Sequence, residues 1–392
     1  MLRFLTAGES HGPMLTLIVE GLPANLKIDE DKINLALARR QKGYGRGGRM
    51  LIEKDKAQVV AGVRFGKTIG SPVSIVIKNK DWENWLEDMS VFGEKTEGRV
   101  VKRPRPGHAD LTGMWKYDLS EARSVLERAS ARETTTRVAV GALADALLES
   151  LSVKVGSHVR AIGDVFLFEE ISPAVEQMHT QAQQSDVSCV CENTAAKMRE
   201  AIDDAKKTGD TLGGIVEVAA DNLMPGLGSH VHWDRRLDGL LAQAVMSIPA
   251  FKAVEIGEGK KAATIPGSMV HDEIFPGQGG VYRKTNRAGG LEGGMTNGEQ
   301  LVVRGYMKPI PTLMKPLSSV DIQTGKQEIA VAERSDTCAV PAAAVVAEAM
   351  VKWVLAQAVL EKFSSDNMSD LLAAVDSYRQ RINEGGYGPC VW

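Results

Sequence analysis

The stretch AQVVAGVRFGKTIGSPVSIVIK, residues 57–78, decides how the rest of the chain is read. Its two ends, AQVVAGVRF (57–65) and SPVSIVIK (71–78), are rich in β-branched residues and read as two strands. The turn-rich GKTIG (66–70) between them predicts an antiparallel hairpin rather than a parallel βαβ unit. Upstream, MLTLIVEGLP (14–23) reads as another strand. DEDKINLALARRQKG (29–43) reads as a helix capped by Asp29, with acids in its first turn and Arg39, Arg40 and Gly43 at its end. Downstream, Val125, Leu126, Ala129, Val138, Leu143, Leu147 and Leu151 recur at helical spacing and predict one long helix from Ser120 to Leu151. Further strands are expected at 153–161, 214–220, 251–256 and 300–306, with helices near 193–207, 234–247, 340–363 and 367–383. The sum is an α+β fold with antiparallel hairpins. Residues 79–120 read as a long loop, functional or hiding an element, and VEQMHTQAQQSD (175–186) as a polar, exposed insertion. No Gly/Ser or Pro-rich linker divides the chain, so a single domain over 1–392 is expected. Strand, helix and hairpin follow in a similar order in each half, which allows an internal duplication without a residue-level repeat.

Composition narrows the function. The 392 residues carry a net charge of −3 with 43% hydrophobic and 25% charged side chains, a globular balance with no overall basic excess. A nucleic-acid partner is therefore not expected, because such binding rests on a surplus of Lys and Arg. Aromatic residues at 5% are also too scarce for stacking bases. The four cysteines, including the Cys189–Cys191 pair, do not match a zinc or disulfide pattern. The N-terminus has no signal-like apolar run, and no uninterrupted apolar segment reaches membrane-spanning length. A cytoplasmic protein with no membrane partner is the expectation.

Five segments place Arg or His on a background of glycine, proline or small residues. GESHGP (8–13) sets Ser10 and His11 between glycines that permit close backbone approach to a ligand; alone it reads equally as a turn with an exposed histidine. ARRQKGYGRGGR (38–49) offers Arg40, Arg46 and Arg49 on a loop whose N–H groups can face an anion; alone it is also a solvated basic face or an RGG-like RNA contact. In RPRPGHAD (103–110), Pro104 and Pro106 hold Arg103 and Arg105 extended and Gly107 turns the chain to present His108. RASARETTTR (128–137) puts Arg128 and Arg132 four apart, on one face of the predicted helix, beside Ala129, Ser130 and Ala131. ERSDTCAVPAA (333–343) brings Arg334 and Asp336 to the start of a helix. Together these describe a composite polyanion site. Arg binds carboxylate and phosphate through a planar fork that stays charged, and a histidine beside bound phosphate is suited to general-acid work.

GESHGP, RRQKGYGRGGRM, RPGHADLTG, RASARETTTRVAVG, DTLGGIVEV, PGLGSHVHWD, MSIPAFKAVEIG, GGLEGGMTNGE and ERSDTCAVPAA, in this order and over essentially the whole chain, resemble chorismate synthase. The resemblance implies a β-α-β sandwich, with antiparallel sheets enclosing a helical layer, and a homotetramer. It implies conversion of 5-enolpyruvylshikimate 3-phosphate to chorismate by an anti-1,4-elimination of phosphate, the last step of the shikimate pathway. The cofactor implied is reduced FMN (FMNH2), which donates electron density transiently although the reaction has no net redox change. Carried over residue by residue, Ser10, His11, Arg40, Arg49, Arg105, Arg132 and Arg334 contact the substrate. His11 serves as acid toward phosphate, His108 lies near the flavin, and Asp336 assists proton removal. The implied FMN contacts are Arg40, Arg46, His108, Arg128, Ala129, Ser130, Pro249, Ala250, Gly293, Lys308, Pro309, Ile310, Pro311, Thr312 and Arg334. Two departures are visible: Pro249 stands where the family more often has Asn, and Ala253 where it usually has Gly. A proline side chain offers no amide to a flavin. The bacterial-type length without insertions implies a monofunctional enzyme, supplied by an external flavin reductase rather than reducing its own flavin with NADPH. A flavin-free phosphate lyase or transferase and an RNA-binding protein are the alternative readings.

Overall fold

The computed structural model describes residues 1–47, 54–93, 98–168, 174–277, 280–315, 317–331 and 335–385. Strands β1 (Arg3–Ala7), β2 (Met14–Glu20), β3 (Ala57–Ala61) and β4 (Val73–Lys78) form a four-stranded antiparallel sheet in the order β1-β2-β4-β3. The hairpin of 57–78 is thus present, with Val59 opposite Ile75. Its first strand ends at Ala61 rather than Phe65. Gly62 takes φ +83°, and a Cβ there would lie 2.4 Å from the Pro72 carbonyl oxygen, so the chain leaves the sheet at that point. A second antiparallel sheet holds β5 (Lys154–Ile162), β6 (Val165–Phe166), β7 (Gly214–Asp221), β8 (Phe251–Ile256) and β9 (Leu301–Met307) in the order β8-β9-β7-β5-β6.

The period-2 pattern explains how both sheets bury one face. Leu15, Leu17 and Val19 on β2, Val73, Ile75 and Ile77 on β4, and Val216, Val218 and Ala220 on β7 are buried in one continuous core. Each Leu, Ile or Val among them contributes roughly 1.5–3 kcal/mol on burial. In chain order the described helices of seven residues or more are α1 (Glu30–Gln41), α2 (Asp110–Tyr117), α3 (Arg123–Ala129), α4 (Thr134–Ser150), α5 (Val175–Gln184), α6 (Glu192–Thr208), α7 (Leu237–Met246), α8 (Val340–Phe363) and α9 (Met368–Glu384). Of these α1, α4 and α8 pack on one another as the helical layer. Helix α4 packs on β2, α8 on β5 and β7, and the two helices on each other, which makes the β-α-β sandwich. By length and composition α8 is apolar enough to cross a membrane, but 94% of its most apolar window is buried inside the protein. It is a core helix, apolar around its circumference because it is surrounded.

Three expectations are corrected. The helix of 120–151 is broken: Ser130 is extended (φ −64°, ψ 143°) and separates α3 from a single 3-10 turn and α4. Its hydroxyl accepts from the Arg132 N–H at 3.3 Å. The motif Ser130-x-x-Glu133 is the sequence signature of a helix start, and it overrides the apolar periodicity. The long loop after Asn79 contains a 3-10 turn at Lys80–Trp85 and α2. Residues 175–184 form α5 rather than an exposed insertion, with Val175 and Met178 packed against Ala219 on the outer face of the second sheet.

One buried ionic cluster ties the layers together. Glu348 of α8 accepts from both terminal nitrogens of Arg39 (2.9 and 2.8 Å), from Lys352 (2.8 Å) and from Ser157 (2.7 Å). Lys352 also reaches Asp145 of α4 at 2.8 Å. Burial alone favours a neutral acid at Glu348; Lys352 and Arg39 overcome it and hold the carboxyl well below its usual range. The C-terminal end of α1 is thereby fixed, with the neighbouring Arg40 held toward the space described below.

Gly141 marks the closest approach of α4 and α8, where a Cβ would meet the Cβ and Cα of Ala349 at 2.4 and 2.5 Å. Alanine is the better helix former by about 1 kcal/mol, yet overpacking costs about 1–3 kcal/mol. We expect Gly141→Ala to lower the urea midpoint with unchanged slope; an equal or higher midpoint would show that the helices separate freely.

Candidate active site

A cavity of about 690 Å³ opens where the helical layer meets the loops of both sheets. It is lined by the turn between β1 and β2 (Ser10, His11), Arg40 in the last turn of α1, the segment after α1 (Arg46, Gly47), Arg105 with Gly107 to Ala109, and the break between α3 and α4. The connection Ile248–Lys252, residues Met307 to Thr312 and the start of α8 complete it. Among the described residues eight cationic side chains, Arg40, Arg46, Arg105, Arg128, Arg132, Arg137, Lys252 and Lys308, line it with two carboxylates, Glu133 and Asp336. Leu126, Ala129, Ala342, Ala343, Val346 and Phe251 supply an apolar wall. Such a site suits a polyanion alongside a flat, largely apolar ring system.

The helix break separates two arginines that a continuous helix would have put on one face. Arg128 turns to the end of β1, donating to the Thr6 hydroxyl (2.8 Å) and to the Gly8 carbonyl (3.1 Å). Arg132 turns inward, donating to Asn79 Oδ1 at 2.9 Å and pairing closely with Asp55. Asp55 also faces Arg40, 3.7 Å away. Arg40 donates to the Thr134 hydroxyl (3.0 Å) and the Ala131 carbonyl (2.8 Å). Its Nη1 is buried without a hydrogen-bond partner among the described residues. Burial pushes the Arg40 pKa down to about 9; Asp55 opposes this, while Arg46 and Arg132 add repulsion. Both guanidinium groups are held in place facing Asp55, and an incoming anion adds a further favourable partner for them.

Both cavity histidines rest on a carboxylate. His11 is 8% exposed, which removes its reading as an exposed turn residue. Its Nδ1 lies 2.9 Å from Glu127 Oε1, and its backbone N–H donates to Oε2 at 2.7 Å. Burial disfavours the Glu127 carboxylate, but its hydrogen bonds with His11 bring its pKa below the ordinary value. The Ser10 N–H donates to the Glu127 carbonyl (3.1 Å), and the Ser130 hydroxyl to that of Ser10 (3.0 Å). In the RPRPGHAD segment Gly107 takes φ +78°, and His108 Nδ1 meets Asp110 Oδ1 at 2.5 Å. Arg105 donates to Asp110 (Nε to Oδ2, 2.8 Å) and to the Thr312 hydroxyl (3.0 Å). Arg103 points away and pairs with Glu328 at 3.3 Å.

The structure therefore brings Ser10, His11, Arg40, Arg46, Arg105, His108, Arg128, Ala129, Ser130, Arg132, Pro249, Ala250, Lys308, Ile310, Pro311, Thr312 and Asp336 to one cavity. Asp336 pairs with Arg46 at 3.2 Å and accepts from the Gly47 N–H at 2.6 Å. Pro309 and Gly293 are not in its wall; Gly293 sits in the turn of a separate two-stranded hairpin. Arg49 and Arg334 lie outside the described residues. Ala250 adopts φ +72°, the left-handed region in which a non-glycine residue is strained, and its carbonyl accepts from the Lys308 N–H at 2.9 Å. The residues sequence reasoning missed are the anionic partners Asp55, Glu127 and Asp110, with Asn79 and Trp85. Of these only Asp110 had a local signal, two positions after His108 in the same octapeptide.

Comparisons with known proteins show what the whole chain is similar to. A family model described as chorismate synthase matches residues 2–360. The chorismate synthase of Sulfurihydrogenibium sp. (strain YO3AOP1) is 56% identical over 387 residues, covering 97% of this chain and 99% of the relative. That of Moorella thermoacetica is 56% identical over 385 residues, covering 98% and 100%. A solved structure described as "Crystal Structure of Chorismate Synthase" superposes with a TM-score of 0.80 at 42% identity, covering 98% of both chains.

The Asp110 carboxyl sits well below its ordinary pKa of 3.8, because the bonds from His108 and Arg105 outweigh its burial. A depressed acid pKa contributes stability that is present above about pH 4 and is lost as the pH falls toward the folded value. We expect Asp110→Asn to lose about 3–5 kcal/mol at pH 7 and to show a flatter fall in stability below pH 4 than the parent. Parallel acid limbs in the two proteins would contradict the pairing.

Proposed function

Since this chain belongs to the chorismate synthase family, we propose that the arginine-lined cavity is where it binds 5-enolpyruvylshikimate 3-phosphate beside a reduced flavin. The family's reaction removes phosphate and a ring proton from that substrate to give chorismate, in the shikimate pathway; the enzyme is a lyase acting on a phosphate. The observation that carries the assignment is the convergence of Arg40, Arg105 and Arg132, from three distant parts of the sequence, around one cavity with more cations than anions. The substrate carries two carboxylates and a phosphate, and guanidinium forks meet such groups through two parallel hydrogen bonds.

In this reading Ser10, Arg40, Arg105 and Arg132 hold the anionic groups, joined by Arg49 and Arg334 on the strength of the resemblance. His11 delivers a proton to the departing phosphate. His108, supported by Asp110, lies beside the flavin, and Asp336 assists removal of the ring proton. The family is flavin-dependent, and the cavity fits a flavin by its observed make-up: an alanine-rich wall for a ring system and Arg46, Arg128 and Lys308 for a phosphate tail. Ala129, Ser130, Pro249, Ala250, Ile310, Pro311 and Thr312 complete that part of the lining. Pro249 contributes shape there, since it has no amide to donate. Bound reduced FMN supplies transient electron density that eases departure of phosphate from the substrate. What the chain supplies is cationic binding, orientation and the two supported histidines. The enzyme works as one catalytic domain over 1–392, assembles as a homotetramer, and takes reduced flavin from an external reductase.

The test is an anaerobic assay of phosphate and chorismate release with chemically reduced FMN. We expect turnover in the parent, and a kcat lower by about tenfold to ten-thousandfold in His11→Ala and His108→Ala. Unchanged kcat in both variants would remove the histidines from the reaction. Turnover in air with only NADPH and FMN would contradict dependence on an external reductase.

A further inference from the structure

We propose that Glu127, which no comparison or resemblance assigns, is the positioning residue that fixes the proton of His11 on Nδ1 and leaves Nε2 to act in the cavity. The inference rests on the reading of His11 as the acid toward phosphate. Glu127 lies on α3, one turn before the helix break, and is 1% exposed. Both its carboxylate oxygens accept from His11: Oε2 from the backbone N–H at 2.7 Å, and Nδ1 sits between the two, 2.9 Å from Oε1 and 3.0 Å from Oε2. A carboxylate cannot donate, so the proton shared with Nδ1 belongs to the imidazole, and Nε2 is the ring nitrogen that exchanges a proton with a ligand. The ring plane is fixed independently. Trp85 stacks on the imidazole with centroids 3.8 Å apart and 24° between planes. The Arg99 and Arg123 guanidinium groups lie 3.8 and 5.3 Å from the Trp85 ring centre, and Arg123 also reaches Glu127 Oε1 at 3.4 Å. His11 is therefore held by a two-point carboxylate clamp on its edge and an aromatic plate on its face.

The proton balance follows. Nε2 gives its proton to an oxygen of the departing phosphate, and the imidazolium becomes the neutral Nδ1–H tautomer. Glu127 stays ionised throughout and takes up no proton. His108 and Asp110 repeat the pattern on another wall, but with a single contact from carboxylate to ring and none to the histidine backbone.

Glutamine at 127 has the right shape and only one acceptor oxygen. It either presents its NH2 group to the His11 backbone N–H, two donors facing each other, or sets that group 2.9 Å from Nδ1, where it opposes the Nδ1–H proton and favours the Nε2–H tautomer. The experiment uses the full-length protein with 15N-labelled histidine. Two-bond nitrogen–proton correlations report which ring nitrogen of His11, identified by its loss in His11→Ala, carries the proton at a pH where the ring is neutral. We expect Nδ1–H in the parent and a population of Nε2–H in Glu127→Gln. In the anaerobic assay with reduced FMN, kcat of Glu127→Gln should fall roughly tenfold to thousandfold with KM changed less than about threefold. A parent protein with Nε2–H at His11 overturns the proposal whether or not the variant folds. So does a Glu127→Gln protein with parental tautomer and parental kcat, even if His11→Ala is slow, which leaves the reading of His11 as acid intact. Full turnover by His11→Ala instead removes that reading and with it the catalytic purpose of the clamp.

Discussion

One buried carboxylate, Asp55, facing two buried guanidinium groups, Arg40 and Arg132, is the constraint around which the structure is arranged. Holding two guanidinium groups this close together in a low-dielectric interior is costly. The surrounding structure must therefore fix them geometrically, since charge alone does not. Arg132 is held by Asn79 as well as Asp55, and Arg40 by Thr134 and Ala131. Among the described residues the Nη1 of Arg40 makes no hydrogen bond, only the longer ion pair with Asp55. A guanidinium with hydrogen-bonding capacity to spare is what a carboxylate or phosphate can use.

The architecture serves this cluster at two places. The fixed end of α1 comes from Arg39 and the buried Glu348–Lys352 pair, which join α1, α4, α8 and β5 into one rigid block. Adjacent residues of one helix therefore do opposite jobs: Arg39 anchors and Arg40 faces the cavity. The second place is the interruption at Ser130. It allows Glu127, Arg128 and Arg132, within six residues of chain, to reach His11, the end of β1 and Asp55 respectively. A straight helix in that position would aim at most two of them at one wall.

Much of the fold was legible because burial on one face imposes a period. Strands such as 251–256 and helices such as 340–363 coincide with the residues their apolar patterns pick out. Elements were missed where that signal was weak or opposed. Alanine and serine around position 130 satisfy a helical pattern while the chain there is extended, and α2 hides in a short glycine-containing segment beyond two prolines. Helix α5 carries its few apolar residues on a narrow stripe, so that a polar reading of 175–186 follows from composition alone. In the site, arginine and histidine on glycine-rich loops announced themselves, since tight turns and ligand approach demand particular residues. Their carboxylate partners did not: Asp55 and Glu127 lie in ordinary charged sequence, and only the three-dimensional pairing gives them meaning.

The most direct measurement of the central claim is diffraction from crystals of the protein soaked with 5-enolpyruvylshikimate 3-phosphate. The account expects difference density for the substrate within hydrogen-bond reach of Arg40, Arg105 and Arg132, its phosphate beside His11. Well-ordered substrate bound at a different surface, or none in this cavity at saturating concentration, would contradict it.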